Sequence, residues 1–287
     1  MSVSIAYLGP PGTYTESATL AYARTLTSET GSQPLLCPCP SIAKTIHSVA
    51  QGQAHLAVIP VENSIEGSVA VTLDTLWQLD TLQIQQAIVL PIRHALLSQA
   101  SSLELIKTVY SHPHALAQCQ KWLEKCLPTA QLVPTRSTTE ALQYLDEDYT
   151  AGVITSQRAA QLYNLPILAS AINDYPDNCT RFWVLGKQPS MGGSHMSLAF
   201  SLPANRPGAL VKPLQVFATR GINMSRIESR PTKRSLGEYL FFIDLEANAQ
   251  ETSVQAALSE LASHTEILKI LGSYKVLAIE SPEADQD

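Results

Sequence analysis

Short apolar runs alternate with helical patterns over residues 1–186, and this alternation constrains the fold more than any other feature of the sequence. The runs have the length and β-branched content of buried strands, and the segments between them have the apolar spacing of helices. We expect strands at Ser4–Leu8, Leu56–Ile59, Ile84–Leu90, Thr108–Tyr110, Gly152–Ile154 and Phe182–Leu185. We expect helices at Glu16–Leu26, Ile42–Gln51, Ala115–Cys126, Thr138–Leu145 and Ser156–Leu162. Such alternation predicts an α/β domain in which helices cover a largely parallel sheet.

Two stretches of this region share a pattern. Residues 41–64 and 137–159 each open with a serine suited to cap a helix, and each ends in an apolar strand with a polar exit. In the second stretch, Glu140 follows Ser137 by three residues, which is a capping box. The pattern predicts two similar lobes, and a cleft between lobes is a preferred place for a ligand.

A Pro-, Gly- and Ser-rich segment, KQPSMGGSH at residues 187–195, indicates a linker. Beyond it, residues 196–280 carry strand and helix patterns in the order βαββαβ, which predicts a ferredoxin-like domain. The final residues 281–287 are polar, and we expect them to be disordered.

Composition narrows the class of partner. The net charge of −6 argues against nucleic acid or an anionic membrane surface, and no apolar run approaches the roughly 20 residues of a membrane span. The five cysteines are irregularly spaced and no signal peptide is evident, so we expect reduced thiols and a cytoplasmic protein. The pair His112 and His114 lacks partners at metal-site spacing, so no metal site is expected.

Four motifs place polar side chains at predicted strand ends: GPPGTYTESA (9–18), VIPVENSIEGSV (58–69), YSHPHALAQC (110–119) and DNCTRF (177–182). Each alone is compatible with an ordinary turn or helix cap. Together they predict convergence on one cleft, since open α/β sheets bind ligands at the carboxyl ends of their strands. Arg181 is suited to pair with a carboxylate, and Thr180 to bond a reacting oxygen.

These motifs resemble, in the same order, those of the prephenate dehydratase family. RPGAL (206–210), GIN (221–223) and ESRP (228–231) are similar to motifs of the regulatory ACT domain of those enzymes. The resemblance covers nearly the whole chain, although His114 stands where the family commonly has Gln. It implies a two-lobed α/β catalytic domain, periplasmic-binding-protein-like with a cleft between its lobes, followed by a ferredoxin-like βαββαβ ACT domain.

The resemblance implies an enzyme that converts prephenate to phenylpyruvate with loss of CO2 and water, a hydro-lyase that needs no cofactor and no metal. It implies that Thr180 assists departure of the hydroxyl and that Arg181 binds a substrate carboxylate. The implied substrate-binding residues are Thr13, Asn63, Ser64, Ser111, Gln118, Asn178 and Phe182.

The ACT-like motifs imply a homodimer or a homotetramer that binds phenylalanine as an allosteric ligand. The implied effector-binding residues are Pro207, Gly208, Ala209, Leu210, Asn223, Glu228, Ser229, Arg230 and Pro231. We expect that a chain lacking residues 191–287 stays active and becomes insensitive to phenylalanine. Two alternatives stay open at this point: an arogenate dehydratase, and a non-catalytic two-lobed regulator that binds a small molecule.

Overall fold

The computed structural model of the chain describes residues 3–146 and 148–279. Residues 281–287, which the sequence analysis expects to be disordered, lie outside the described residues. The strands are β1 Ser4–Leu8, β2 Leu35–Cys39, β3 Leu56–Asn63, β4 Gly67–Ser68, β5 Gln83–Pro91, β6 His94–Ser98, β7 Thr108–Ser111, β8 Gln131–Pro134, β9 Ala151–Ser156, β10 Ile167–Ala169, β11 Cys179–Gly186, β12 His195–Ser201, β13 Met224–Pro231, β14 Tyr239–Leu245 and β15 Ile267–Ala278. The α-helices are α1 Tyr14–Thr30, α2 Ile42–Ala50, α3 Ala70–Trp77, α4 Pro113–Ala117, α5 Gln120–Cys126, α6 Gln157–Tyr163, α7 Val211–Ala218 and α8 Thr252–Ala262, and 3₁₀ turns span Leu103–Leu105 and Glu140–Leu145.

The first lobe is built on β1 to β5 and β11. Strand β1 lies between β3 and β2, which the sequence analysis did not predict, and is parallel to both. Strand β11 lies between β3 and β5 and is antiparallel to both. The expectation of a largely parallel sheet is therefore wrong: β11 returns from the second lobe and enters the sheet in the opposite direction, which makes the sheet mixed.

The second lobe has its own sheet, in the order β10-β6-β9-β7-β8. The sequence analysis did not predict β6, because all five of its residues are buried and its pattern does not alternate. The chain enters this lobe between β5 and β6 and leaves it before β11. Two α/β lobes joined by two crossings are thus confirmed.

The predicted helix at Ala115–Cys126 is two helices, α4 and α5. The break lies at Cys119, where the Asp174 carboxylate caps the second helix by accepting from the N–H groups of Lys121 at 2.9 Å and Trp122 at 3.1 Å. The break leaves Gln118 at the end of the short first helix, facing the space between the lobes.

The C-terminal domain has the predicted ferredoxin-like arrangement. Its strands lie in the order β13-β14-β12-β15, all neighbours antiparallel, with α7 and α8 packed against each other. The opposite face of this sheet packs on the first lobe, where Phe242 and Tyr274 share one buried core with Trp183 and Ile84.

Strand β15 belongs to both domains. Residues 267–274 pair antiparallel with β12, and residues 275–278 pair parallel with β5. Gly272 lies at the transition with φ 144°, and a Cβ there would lie 2.6 Å from the carbonyl oxygen of Ile84, so only glycine fits this close approach. The result is one continuous ten-stranded sheet across the domain boundary.

The segment between β11 and β12, predicted as a linker, runs along the first lobe. The Gln85 side chain donates to the Gln188 carbonyl at 2.7 Å, and the Ser190 N–H donates to the Gln83 side chain at 3.0 Å. The five cysteines are free. Among residues 3–146 and 148–279, no helix has the length and apolar character needed to cross a membrane.

The shared strand and core predict that residues 1–190 alone are less stable than the full chain. Deleting residues 191–287 removes the strand beside β5 and exposes the apolar side chains that Phe242 and Tyr274 cover. Each large apolar side chain so exposed costs about 1.5–3 kcal/mol. We expect the truncated chain to unfold at a clearly lower urea concentration than the full chain, measured by far-UV circular dichroism. Equal midpoints would show that the shared core contributes nothing.

Candidate active site

A cavity of about 850 Å³ lies between the two lobes. All four polar motifs of the sequence contribute to its wall, so the predicted convergence on one cleft is confirmed. Residues that represent the four motifs are Gly9, Thr13, Asn63, His114, Gln118 and Thr180. The volume suits a small organic molecule.

Strand β11 presents alternate side chains to the two faces of the first-lobe sheet. Thr180 and Phe182 face the cavity, Thr180 with 8% of its surface exposed and Phe182 with 1%. Arg181, between them, faces the other side of the sheet. It is not among the residues that line the cavity.

The Thr180 hydroxyl is oriented by Asn63. The side-chain oxygen of Asn63 accepts from the backbone N–H groups of Ile65 at 3.0 Å and Glu66 at 3.1 Å, which fixes the orientation of the amide. Its nitrogen therefore donates to Thr180 Oγ1 at 3.0 Å. Since Oγ1 accepts this bond, the hydroxyl proton of Thr180 is left to donate elsewhere.

The same network continues from Asn63 into the second lobe. Asn63 also donates to Asn178 Oδ1 at 2.8 Å, and Asn178 Nδ2 donates to Gln118 Oε1 at 2.9 Å. His94 Nε2 lies 3.0 Å from the same oxygen and is thus the donor, and Tyr14 OH lies 2.8 Å from His94 Nδ1. Burial lowers the pKa of His94, which favours the neutral ring. The sequence analysis missed Tyr14 and His94, because their contacts are distant in sequence.

Two of the predicted substrate-binding residues, Ser111 and Asn178, are buried behind the cavity wall, and a third, Ser64, is exposed at the surface. Ser111 is fully buried and donates to the Ile154 carbonyl at 2.6 Å. Ser64 accepts from the Cys179 N–H at 3.0 Å and donates to Asn178 at 3.3 Å. None of Ser64, Ser111 and Asn178 is among the described residues that line the cavity, although Ser64 and Asn178 belong to the hydrogen-bond network of Asn63.

Thr13, by contrast, lines the cavity and is also the N-cap of α1. Its hydroxyl accepts from the Glu16 N–H at 3.3 Å and donates to the Leu8 carbonyl at 3.3 Å. A second helix start, that of α3, also reaches the cavity, which Val69 and Ala70 line. In contrast to Thr13, Val69 provides no side-chain cap for its helix. Uncapped N–H groups at a helix start favour an anion nearby.

Arg181 forms its ion pairs away from the cavity. Its guanidinium contacts the carboxylate of Glu62 and, at 3.0 Å, that of Asp244 in the C-terminal domain. Burial disfavours the charged form, but these two carboxylates raise the pKa of Arg181 above its ordinary value. The geometry does not support the expectation that Arg181 binds a substrate carboxylate, because neighbouring residues of a strand face opposite sides of the sheet.

Arg136 is the arginine that lines the cavity, and sequence reasoning missed it because β8 was not predicted. Its backbone N–H donates to the Glu140 carboxylate at 2.9 Å, while its guanidinium has no ion pair within the described residues. The Ser137–Glu140 capping box could have drawn attention to Arg136, because it marks a helix start directly after that residue.

One carboxylate, Glu66, also lines the cavity. It accepts from Gln118 Nε2 at 3.3 Å, and His114 Nε2 lies 4.0 Å from it. His112 lines the same wall as Glu66 and His114, and burial and the nearby His114 lower the pKa of His112. Arg136 is thus the permanent cation beside several hydroxyl and amide groups, a donor set that suits an organic anion.

Fold and cavity together define a two-lobed α/β protein with a cavity between its lobes, whose lining suits an organic anion, and with a ferredoxin-like C-terminal domain. The sequence model of the family described as prephenate dehydratase matches residues 5–190, and that of the ACT domain matches residues 196–263. The chain belongs to the prephenate dehydratase family.

Relatives and solved structures match nearly the full length. A prephenate dehydratase of Lactococcus lactis subsp. cremoris is 37% identical, covering 96% of this chain and 99% of the relative. One from Methanocaldococcus jannaschii is 38% identical with the same coverage. The crystal structure of prephenate dehydratase from Arthrobacter aurescens in complex with L-Phe superposes with a TM-score of 0.85 at 34% identity, covering 98% of this chain and 94% of that chain.

The orientation of Asn63 leads to a stability prediction. Asn63→Asp replaces the donor nitrogen by an oxygen that faces two acceptor oxygens, Asn178 Oδ1 and the Cys179 carbonyl. We expect the free energy of unfolding to fall by about 1–3 kcal/mol, measured by urea denaturation. Asn205→Asp, at an exposed position, serves as the control and should stay within about 0.5 kcal/mol of the parent. Equal values for both variants would contradict the assigned network.

Proposed function

We propose that the chain is a prephenate dehydratase, converting prephenate to phenylpyruvate in the cavity between its lobes. The observation that carries the proposal is the Thr180 hydroxyl, which accepts from Asn63 and so presents its proton to the cavity. Membership of the prephenate dehydratase family and the full-length relatives of that name support it.

The reaction breaks the bond between the ring and its carboxylate and the bond between the ring and its hydroxyl. The electron pair of the first bond enters the ring as the hydroxyl departs, and the aromatic ring forms with release of CO2. The departing hydroxide takes up a proton and leaves as water. A hydrogen bond from Thr180 to the hydroxyl oxygen stabilises the negative charge that develops there.

The substrate's two carboxylates require cationic or N–H groups. We assign one carboxylate to Arg136, which lines the cavity with an unpaired guanidinium in the described part of the chain, and consider the start of α3 suited to the other. Thr13, Gln118 and Phe182 contact the substrate from the wall. We assign Asn63, Ser64, Ser111 and Asn178 to fixing the groups that contact it.

Thr180→Ala removes the oriented donor. We expect kcat for prephenate to fall about 10²-fold or more, because the bond forms with the departing oxygen in the transition state. Thr180→Ser keeps the hydroxyl and should keep much of the activity. The assay follows phenylpyruvate absorbance, and Thr265→Ala, outside the cavity, is the control.

Each alternative to prephenate dehydration has its own outcome in this assay. Normal turnover by a folded Thr180→Ala protein would contradict the role of Thr180. Faster turnover of arogenate than of prephenate would make arogenate the substrate. Binding of prephenate by calorimetry without turnover would identify a non-catalytic binding protein.

We further propose that the C-terminal domain binds phenylalanine and pairs with a second copy of the chain, as a homodimer or a dimer of dimers. Support comes from the L-Phe complex of the Arthrobacter aurescens protein and from β13, which is the terminal strand of the sheet and is exposed at Ser229 and Pro231. Residues 207–210 form a turn at the start of α7, with Gly208 at φ 78°.

The predicted effector residues do not line the cavity found in this domain. A cavity of about 350 Å³ in this domain is lined mainly by residues 201–205 and 232–239, outside the predicted set. Asn223 donates to Glu246 at 2.8 Å instead. A second copy beside β13 would supply the missing wall for Pro207, Gly208, Ala209, Leu210, Glu228, Ser229 and Pro231.

Arg230 connects this strand to the cavity. It contacts both carboxylate oxygens of Asp74, at 3.0 and 3.2 Å, and Lys233 contacts Asp74 at 2.7 Å. The hydrogen bond from Arg230 lowers the pKa of Asp74. Asp74 lies on α3, whose first residue lines the cavity, so a shift of β13 moves the cavity wall.

We expect phenylalanine to bind the full chain in calorimetry and to inhibit prephenate turnover, with a coupling of roughly 5–150-fold. Asp74→Asn should keep phenylalanine binding and lose most of the inhibition, because it weakens the link between β13 and α3. Asp80→Asn removes another ion pair between the domains, to Lys269, and is the matched control. Absence of binding heat and of inhibition at millimolar phenylalanine would refute the effector.

A further inference from the structure

Four charged side chains meet between the first lobe and the C-terminal domain: Glu62 and Arg181 from the first lobe, Arg226 and Asp244 from the C-terminal domain. We name them the junction cluster. Asp244 Oδ2 lies 3.0 Å from Arg181 and 3.2 Å from Arg226, and Glu62 contacts Arg181. Two positive and two negative charges balance, as charges withdrawn from water require.

Asp244 is the centre of the junction cluster, and both of its carboxylate oxygens have partners. Its side chain is 1% exposed, and its second oxygen accepts from Ser197 at 2.6 Å. The Ser197 hydroxyl in turn lies 2.6 Å from the Tyr274 hydroxyl on the shared strand β15. The C-terminal domain therefore presents a fixed carboxylate to Arg181.

The cluster lies directly behind the groups that face the substrate. In the sheet, Arg181 is opposite Glu62 and Thr180 is opposite Asn63, so one pair of strands carries the cluster on one face and the donor–acceptor pair on the other. Arg226 also reaches the cavity wall, donating to Ser68 Oγ at 3.1 Å.

We propose that Arg181 is a positioning residue for the reaction: anchored to Asp244 and Glu62, it fixes the part of β11 and β3 on which Thr180 and Asn63 meet. The C-terminal domain thereby contributes to catalysis through Asp244, independently of any effector. This inference rests on the proposed dehydratase activity. It differs from a substrate-binding role, because Arg181 acts through Thr180.

Arg181→Lys keeps the charge but ends in a compact ammonium at a shorter reach, so the strand loses its fixed anchor. Misplacement of a reacting group by about 1 Å can cost 10²-fold in rate. We expect kcat for prephenate to fall at least about 10-fold with KM within about 2-fold. Asp244→Asn, in the other domain, should show the same pattern.

The decisive measurement is a double variant. If Arg181 acts through Thr180, Thr180→Ala/Arg181→Lys should be no slower than Thr180→Ala alone, because the two effects are not additive. Arg136→Gln is the contrast and should raise KM, as removal of a carboxylate ligand does. Asp80→Asn breaks an ion pair between the same domains and should leave kcat unchanged.

These measurements decide whether Arg181 positions Thr180, provided that each variant is shown to be folded by near-UV circular dichroism. If Arg181→Lys does not fold, Asp244→Asn replaces it. A raised KM with unchanged kcat in Arg181→Lys would make Arg181 a ligand and overturn the proposal. Multiplicative losses in the double variant, or parental kcat in both junction variants, would also overturn it. Absence of turnover by the parent protein would instead refute the dehydratase activity on which the inference rests.

Discussion

The packing of the C-terminal sheet on the first lobe is the constraint on which the rest of the structure depends. Strand β15 crosses from one sheet into the other, and Tyr274 lies fully buried in the core that both domains share. Burial of apolar surface on this scale is the main favourable term in holding two domains together. The C-terminal domain is therefore part of the first lobe's architecture.

This packing sets the geometry behind the cavity. Charged groups rarely lie at a buried boundary unless they are paired, and here Arg181 and Asp244 satisfy each other across it. Since the opposite face of the same strand carries Thr180, the boundary and the site share one piece of backbone. A second connection runs from Arg230 to α3. Both connections between the domains thus lie beside residues of the cavity wall.

Much of the site could be predicted from the sequence. Three of the four polar motifs reach the cavity because they follow the carboxyl ends of strands. The fourth, with Thr180, lies at the amino end of β11 and reaches it because β11 runs antiparallel to β3. Arg136 and His94 were missed for different reasons: the strand before Arg136 is short and mostly exposed, and the strand that begins with His94 is wholly buried. Neither gives an alternating pattern.

The sequence by itself determined the two α/β lobes and the ferredoxin-like C-terminal domain, since both follow from local periodicity and turn chemistry. It also placed Thr180 in the polar segment that leads into an apolar strand. Only the tertiary structure decided which face of β11 meets the cavity. One residue's shift in strand register exchanges the two faces, and that register depends on β3 and β5, which are distant in sequence. For this reason Thr180 faces the cavity while Arg181 faces Asp244.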